Sequence, residues 1–220
     1  MKVNPIKRFI INRRKKKTWL WHRTSKENLE KIKKMGIKPG ATTGFAKGNR
    51  QVSMINRIFD GQRPRGIRLS REKSVFFDIP KVNKLRRAFW EGWATPEQKE
   101  KMKKHYARVR VNPKKAFVGD LQLIREAEKI IEKQEKETGK KIASEKDISA
   151  DNTRAIEEIG KEYWRNTMSL EEYLKNYKWV PAPVGAYKPV TGNGPTLMNP
   201  EVMTTAGKTI KRARVSKGKI

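Results

Sequence analysis

The stretch Trp19-Leu20-Trp21-His22-Arg23-Thr24-Ser25 decides which fold we expect, because it joins an apolar run, one of the two histidines and a helix start. Thr24 with Glu27 forms a capping box, and Ser25 is an alternative cap. An apolar stripe follows at a spacing of three, at Leu29, Ile32 and Met35. A glycine and then a proline end the pattern. We therefore predict a strand over residues 18–22 and a helix over residues 25–35.

This stretch and several later segments resemble the ADP-ribosyltransferase superfamily, in the form of poly-ADP-ribose polymerases and their bacterial and phage relatives. The first motif of that family is similar to Leu20-Trp21-His22-Arg23-Thr24, followed by Asn28-Leu29, Ile32 and Gly36-Ile37-Lys38-Pro39. The next two family segments are similar to Thr43-Gly44-Phe45-Ala46-Lys47-Gly48 and Gly66-Ile67-Arg68-Leu69-Ser70. The strand that carries the family's catalytic glutamate is similar to Asn199-Pro200-Glu201-Val202-Met203.

The resemblance implies an α+β fold, in which two small antiparallel sheets face each other across a cleft and the helices lie outside. Short strands interleaved with irregularly spaced helices agree with this class better than with a parallel α/β sheet. We predict further strands over residues 66–70, 73–79, 106–111, 116–118 and 201–205. We predict further helices over residues 51–60, 81–93 and 121–138, one capped by Asp151 or Asn152, and one that begins with a Ser169–Glu172 capping box.

The activity that the resemblance implies is transfer of ADP-ribose from NAD, which is then a substrate. The transition state resembles an oxocarbenium ion, which a carboxylate stabilises electrostatically. The resemblance gives Glu201 and His22 the catalytic roles. It places the dinucleotide against His22, Thr24, Gly44 and Ser70. Arg23 and Arg68 depart from the family pattern, and we expect Arg23 or Arg68 to contact the pyrophosphate.

The net charge of +30 is distributed unevenly along the 220 residues. Residues 120–178 hold 14 acidic and 12 basic side chains, so the rest of the chain carries about +32. Such a surface attracts polyanions through counterion release, so nucleic acid is the expected partner and an anionic membrane surface the second. The simpler alternative is a solvated, highly charged surface. The expected nucleic-acid contacts are Arg13, Arg14, Lys15, Lys16, Lys17, Arg108, Arg110, Lys211, Arg212 and Arg214.

The predicted organisation has three parts. Residues 1–17 form a basic arm, residues 18–206 one ADP-ribosyltransferase-like domain, and residues 207–220 a basic tail. A helical insertion occupies about residues 121–178 of the domain. Residues 180–200 are rich in proline and glycine and predict a long loop.

Several classes of site are excluded by composition. The chain has no cysteine, so it forms no disulfide and has no thiol nucleophile. Two histidines do not suffice for a three-histidine metal site, and we expect no metal. No apolar run approaches the length of a membrane helix, and no secretory signal is recognisable. We therefore expect a cytoplasmic or nucleic-acid-associated protein.

Two alternatives to the enzyme remain open. The first is a non-enzymatic, basic nucleic-acid-binding protein on the same fold, with a degenerate site. The second is an enzyme like the RNA 2′-phosphotransferases, which would use Arg23, Arg65 and Arg68 around a phosphate. A strongly basic small protein of this kind also suits a toxin or a phage protein that travels with packaged DNA.

Overall fold

The computed structural model describes residues 18–24, 26–38, 50–80, 96, 105–179, 189–191 and 200–205. The first half of the chain holds β1 (Thr18–Thr24), α1 (Lys26–Met35), α2 (Arg50–Gly61), β2 (Ser74–Phe77) and β3 (His105–Val111). The second half holds β4 (Phe117–Asp120), α3 (Leu121–Thr138), α4 (Ala150–Asn166), β5 (Met168–Ser169), α5 (Leu170–Asn176), β6 (Tyr177–Trp179), β7 (Pro189–Thr191) and β8 (Pro200–Thr205). The predicted helix over residues 81–93, the basic arm, the basic tail and most of the predicted loop lie outside the described residues.

All strand pairs among the described residues are antiparallel. β1 pairs with β3, four strands form a sheet in the order β2-β8-β4-β5, and β6 pairs with β7. A single bridge joins the first two sheets, in which Trp21 N donates to Asp78 O at 3.0 Å and Asp78 N to Trp21 O at 2.7 Å. The α+β class and its small antiparallel sheets are thus confirmed. The predicted cleft requires two sheets that face each other. The described bridge joins the edges of the sheets and not their faces, so the cleft stays a prediction.

The central strand β8 separates two apolar cores. Its neighbouring residues Val202 and Met203 are both fully buried, and their side chains point to opposite faces of the sheet. On the Val202 face lie α1, α5 and the inner faces of β1 and β3. On the Met203 face lie α2, α3 and α4. The helical stretch that we predicted as an insertion therefore shares one core with α2 and β8.

Local signals predicted most helix ends well. Asp120 caps α3 by accepting from Gln122 N at 2.9 Å, and Gly139 ends it with φ 63°. Ser169 caps α5 by accepting from Glu172 N at 3.1 Å, as predicted. The predicted cap of α4 is wrong, because Ser149 takes that role. Its backbone is extended, and its side chain accepts from Asn152 N.

The predicted strand over residues 66–70 is also wrong. Gly66 has φ 102°, a left-handed conformation that interrupts an extended run. The carbonyl of Leu69 accepts from Arg63 Nη1 at 2.5 Å. The next two residues bind the end of α2: Ser70 Oγ donates to Asp60 Oδ2 at 2.6 Å, and Arg71 N donates to Asp60 Oδ1 at 2.8 Å. The segment is therefore a turn that is anchored by a carboxylate.

Candidate functional site

Two tryptophans and two arginines share the outer face of the β1–β3 ribbon. Trp19 stands opposite Arg110, and Trp21 stands opposite Arg108. Partners in an antiparallel pair project to the same face, and successive residues alternate between faces. The intervening apolar side chains of both strands are buried, namely Leu20, Ala107, Val109 and Val111. We call the outward set Trp19, Trp21, Arg108 and Arg110 the Trp–Arg face. Arg108 and Arg110 make the outer face of β3 basic.

Trp19 holds both arginines of this face. The guanidinium carbons of Arg108 and Arg110 each lie 5.0 Å from the centroid of a Trp19 ring. Cation–π attraction at this distance restrains a side chain that otherwise has many rotamers. Arg108 is exposed, whereas Trp19 and Arg110 are partly buried. Two like charges are thus held beside one indole, an arrangement that an anion would stabilise.

His22 lies on the inner side of β1, near the junction of the two sheets. Its Nδ1 is 2.9 Å from the carbonyl oxygen of Phe76, and its ring meets the Phe77 ring at 64°, with centroids 5.8 Å apart. Burial lowers the pKa of His22, although the Phe76 hydrogen bond and the nearby Asp78 carboxylate act in the opposite direction. His22 is therefore neutral at pH 7. A carbonyl only accepts, so Nδ1 carries the proton and Nε2 is left as an acceptor.

Glu201 lies in a buried polar cluster on the other side of the sheet. Its Oε1 forms an ion pair with Arg71 Nη1, and the Tyr163 hydroxyl is 3.4 Å from the same oxygen. Arg71 also donates to Tyr163 through Nη1, and its Nε donates to Asn56 Oδ1 at 2.8 Å. The Arg71 side chain is only 2% exposed and lies over the rings of Phe76 and Tyr163.

The protonation states in this cluster follow from burial and charge. Burial alone would lower the pKa of Arg71, but Glu201 and Tyr163 outweigh it and the net shift is upward. Burial raises the pKa of the Tyr163 hydroxyl well above its ordinary value, so the group stays protonated. Arg71 is therefore a fixed cation next to Glu201. Glu201 is already paired with a buried guanidinium, so it stabilises a positively charged transition state less than an unpaired carboxylate would.

The two predicted catalytic residues lie on different faces of the sheet. Glu201 shares its face with Met203, whose partner across the β2–β8 pair is Phe76. His22 instead contacts the Phe77 ring, which projects to the Val202 face. The described contacts thus bring Glu201 to Arg71 and bring His22 to Phe77, rather than joining Glu201 and His22.

The other predicted dinucleotide contacts are dispersed. Thr24 ends β1 and is partly buried, Arg68 is exposed in the turn, and Ser70 is bonded to Asp60. The backbone of Arg23 belongs to β1. Gly44 and the predicted contacts in the basic arm and the basic tail lie outside the described residues.

Sequence reasoning missed Arg71, Tyr163 and the clamping role of Trp19. Arg71 directly follows the segment that resembles a family strand, but one arginine among 53 basic residues carries no spacing signal. Tyr163 lies 92 positions from Arg71 in the sequence, so no local pattern connects the two. Trp19 had a detectable signal, since Trp19 and Trp21 alternate with the buried Leu20 on β1.

Within the described parts of the chain, no group of three acidic or histidine side chains is placed to hold a metal ion. Nor is any helix there long and apolar enough to cross a membrane.

Comparison with known proteins adds no family. No protein-family model matches the chain, and no curated protein or solved structure is similar enough to count as a match. The fold and the two sites above therefore carry what is proposed next.

Proposed function

We propose that this protein binds nucleic acid, and that the Trp–Arg face is part of its binding surface. The observation that carries the proposal is the placement of Arg108 and Arg110 against Trp19 on the outer face of the β1–β3 ribbon. An anion placed between two neighbouring guanidinium groups is attracted by both of them. Restrained guanidinium groups also lose less conformational entropy when they bind a phosphate.

The charge distribution supports a polyanion rather than a small anion. Fourteen of the 23 acidic residues lie in residues 120–178, and β1 and β3 contain none. Binding would release counterions, so affinity would fall steeply with salt. A phosphate backbone offers successive anionic groups that arginine binds through paired hydrogen bonds.

Transfer of ADP-ribose from NAD is the second candidate, and one observation favours it. His22 is neutral with Nδ1 bonded to Phe76, so its Nε2 can accept a hydrogen bond from a ribose hydroxyl. Against it stands the ion pair between Arg71 and Glu201, because the reaction would require that carboxylate to face the ribose. We therefore rank binding above catalysis.

One preparation of the full chain tests both candidates. Fluorescence anisotropy with a labelled 20-nucleotide strand and a 20-base-pair duplex, between 50 and 200 mM salt, measures binding. We expect tight binding whose logarithm falls linearly with the logarithm of salt. Absence of binding to both probes at 50 mM salt overturns the proposal. Release of nicotinamide from NAD, assayed in parallel, would establish the second candidate, and no release would remove it.

A further inference from the structure

We infer that the Trp–Arg face is selective for single-stranded nucleic acid, with Arg108 and Arg110 on neighbouring phosphates and the indoles against unstacked bases. This inference rests on the proposed function and names the class of ligand that the face takes. It is carried by the mixture of aromatic and basic groups on one surface.

The two arginines lie on one face of the ribbon. Arg108 and Arg110 are two residues apart on β3, so their Cα atoms are separated by about 6.6–6.8 Å. Two guanidinium groups on one face can bind two phosphates of the same backbone. Phosphate contacts of this kind are available from a single strand and from a duplex, so the aromatic groups carry the choice between them.

The aromatic groups on this face favour a single strand over a duplex. Trp19 and Trp21 are only partly buried, although they are the largest apolar side chains on this face. A duplex keeps its bases stacked inside and offers this surface only phosphates and groove edges. A single strand offers the flat face of a base, which stacks on an indole or on a guanidinium that already lies over one. Base stacking on the indoles therefore adds to the binding free energy of a single strand and not to that of a duplex.

The opposite preference is what charge alone predicts. A duplex has a higher density of phosphates than a single strand. A surface that binds through electrostatic attraction alone therefore binds the duplex more tightly. A two-stranded ribbon can also enter the major groove of a duplex. Preference for the single strand is therefore a result that the net charge of +30 does not explain.

The experiment compares the full chain with matched double variants. Arg108→Gln with Arg110→Gln removes two charges from the face, and Arg154→Gln with Arg165→Gln removes two charges from exposed positions on α4. Both are titrated with labelled dT20 and with a 20-base-pair duplex between 50 and 200 mM salt. Circular dichroism and thermal unfolding show that each variant is folded.

The face variant should lose two phosphate contacts. The slope of log affinity against log salt should then decrease by about 1.4, so that the fourfold change in salt affects binding about sevenfold less. The α4 variant should keep the parent slope. Trp19→Leu should weaken dT20 binding by roughly 5- to 150-fold, the range of one lost base stack, and Trp19→Phe should restore most of it.

Each failure has its own signature. If the full chain binds neither probe, the proposed function itself is wrong. If it binds the duplex at least as tightly as dT20, or if the two double variants behave alike, binding stands and the assignment of this face to single strands is overturned. If Trp19→Leu is unfolded, the two arginine variants still decide.

Discussion

Replacing Glu201 with Gln separates a structural carboxylate from a catalytic one. Glu201 is the anionic partner of Arg71 in the described structure, and the Arg71 side chain is 2% exposed. Gln keeps an oxygen that accepts a hydrogen bond from Arg71, but it removes the negative charge. The variant therefore leaves a buried cation without compensation.

The size of the effect follows from that burial. Breaking a buried ion pair from one side destabilises a protein by about 3–5 kcal/mol. We expect the lower end, about 3 kcal/mol, because the glutamine oxygen and the Asn56 and Tyr163 contacts of Arg71 remain. For a chain of this size that corresponds to a fall in Tm of about 6–12 °C.

Urea unfolding followed by tryptophan fluorescence measures the free energy of unfolding. Arg71→Met and the double variant complete a mutant cycle, and the double variant should lose less than the sum of the two single changes. Glu158→Gln is the control, since Glu158 pairs with Lys161 on the surface at 2.6 Å with side chains 70% and 48% exposed. It should have no measurable effect. If Glu201→Gln unfolds like the parent protein, Arg71 does not depend on Glu201 and the reasoning is refuted.

Two further predictions concern packing and pH. A Cβ on Gly119 would overlap the Tyr163 hydroxyl, so Gly119→Ala should lower the free energy of unfolding by about 1–3 kcal/mol. Gly61→Ala, where no atom lies within 4 Å of the added Cβ, is the control and should change little; equal urea midpoints for the two would contradict the packing. The pKa of His22 is lowered in the folded protein, so between that pKa and the unfolded value near 6.5 the unfolded chain binds more protons. Stability should thus fall as pH drops below about 6.5. In His22→Asn this part of the pH dependence should be absent, and an unchanged pH profile in that variant would mean that His22 does not titrate differently on folding.

Elements with local signals could be predicted from the sequence. The helices α1, α3 and α5 carry their own caps, apolar spacing or end signals within a few residues. The alternation of Arg108 and Arg110 with buried valines likewise defined both faces of β3 before its partner strand was known. Local signals did not predict the cap of α4 or the turn at residues 66–70. In each case the outcome depended on which nearby polar group forms hydrogen bonds with the backbone.

The sequence by itself thus determined the α+β class, most element boundaries and the segregation of charge, since these depend on hydrogen bonds and periodicity within a few residues. Only the tertiary structure decided what the functional side chains meet. Arg71 reaches Glu201 across 130 positions, and Trp19 holds arginines about 90 positions away. Contacts at such separations depend on strand register and on which face a residue occupies. A shift of one residue reverses that face, and no local pattern specifies the partner.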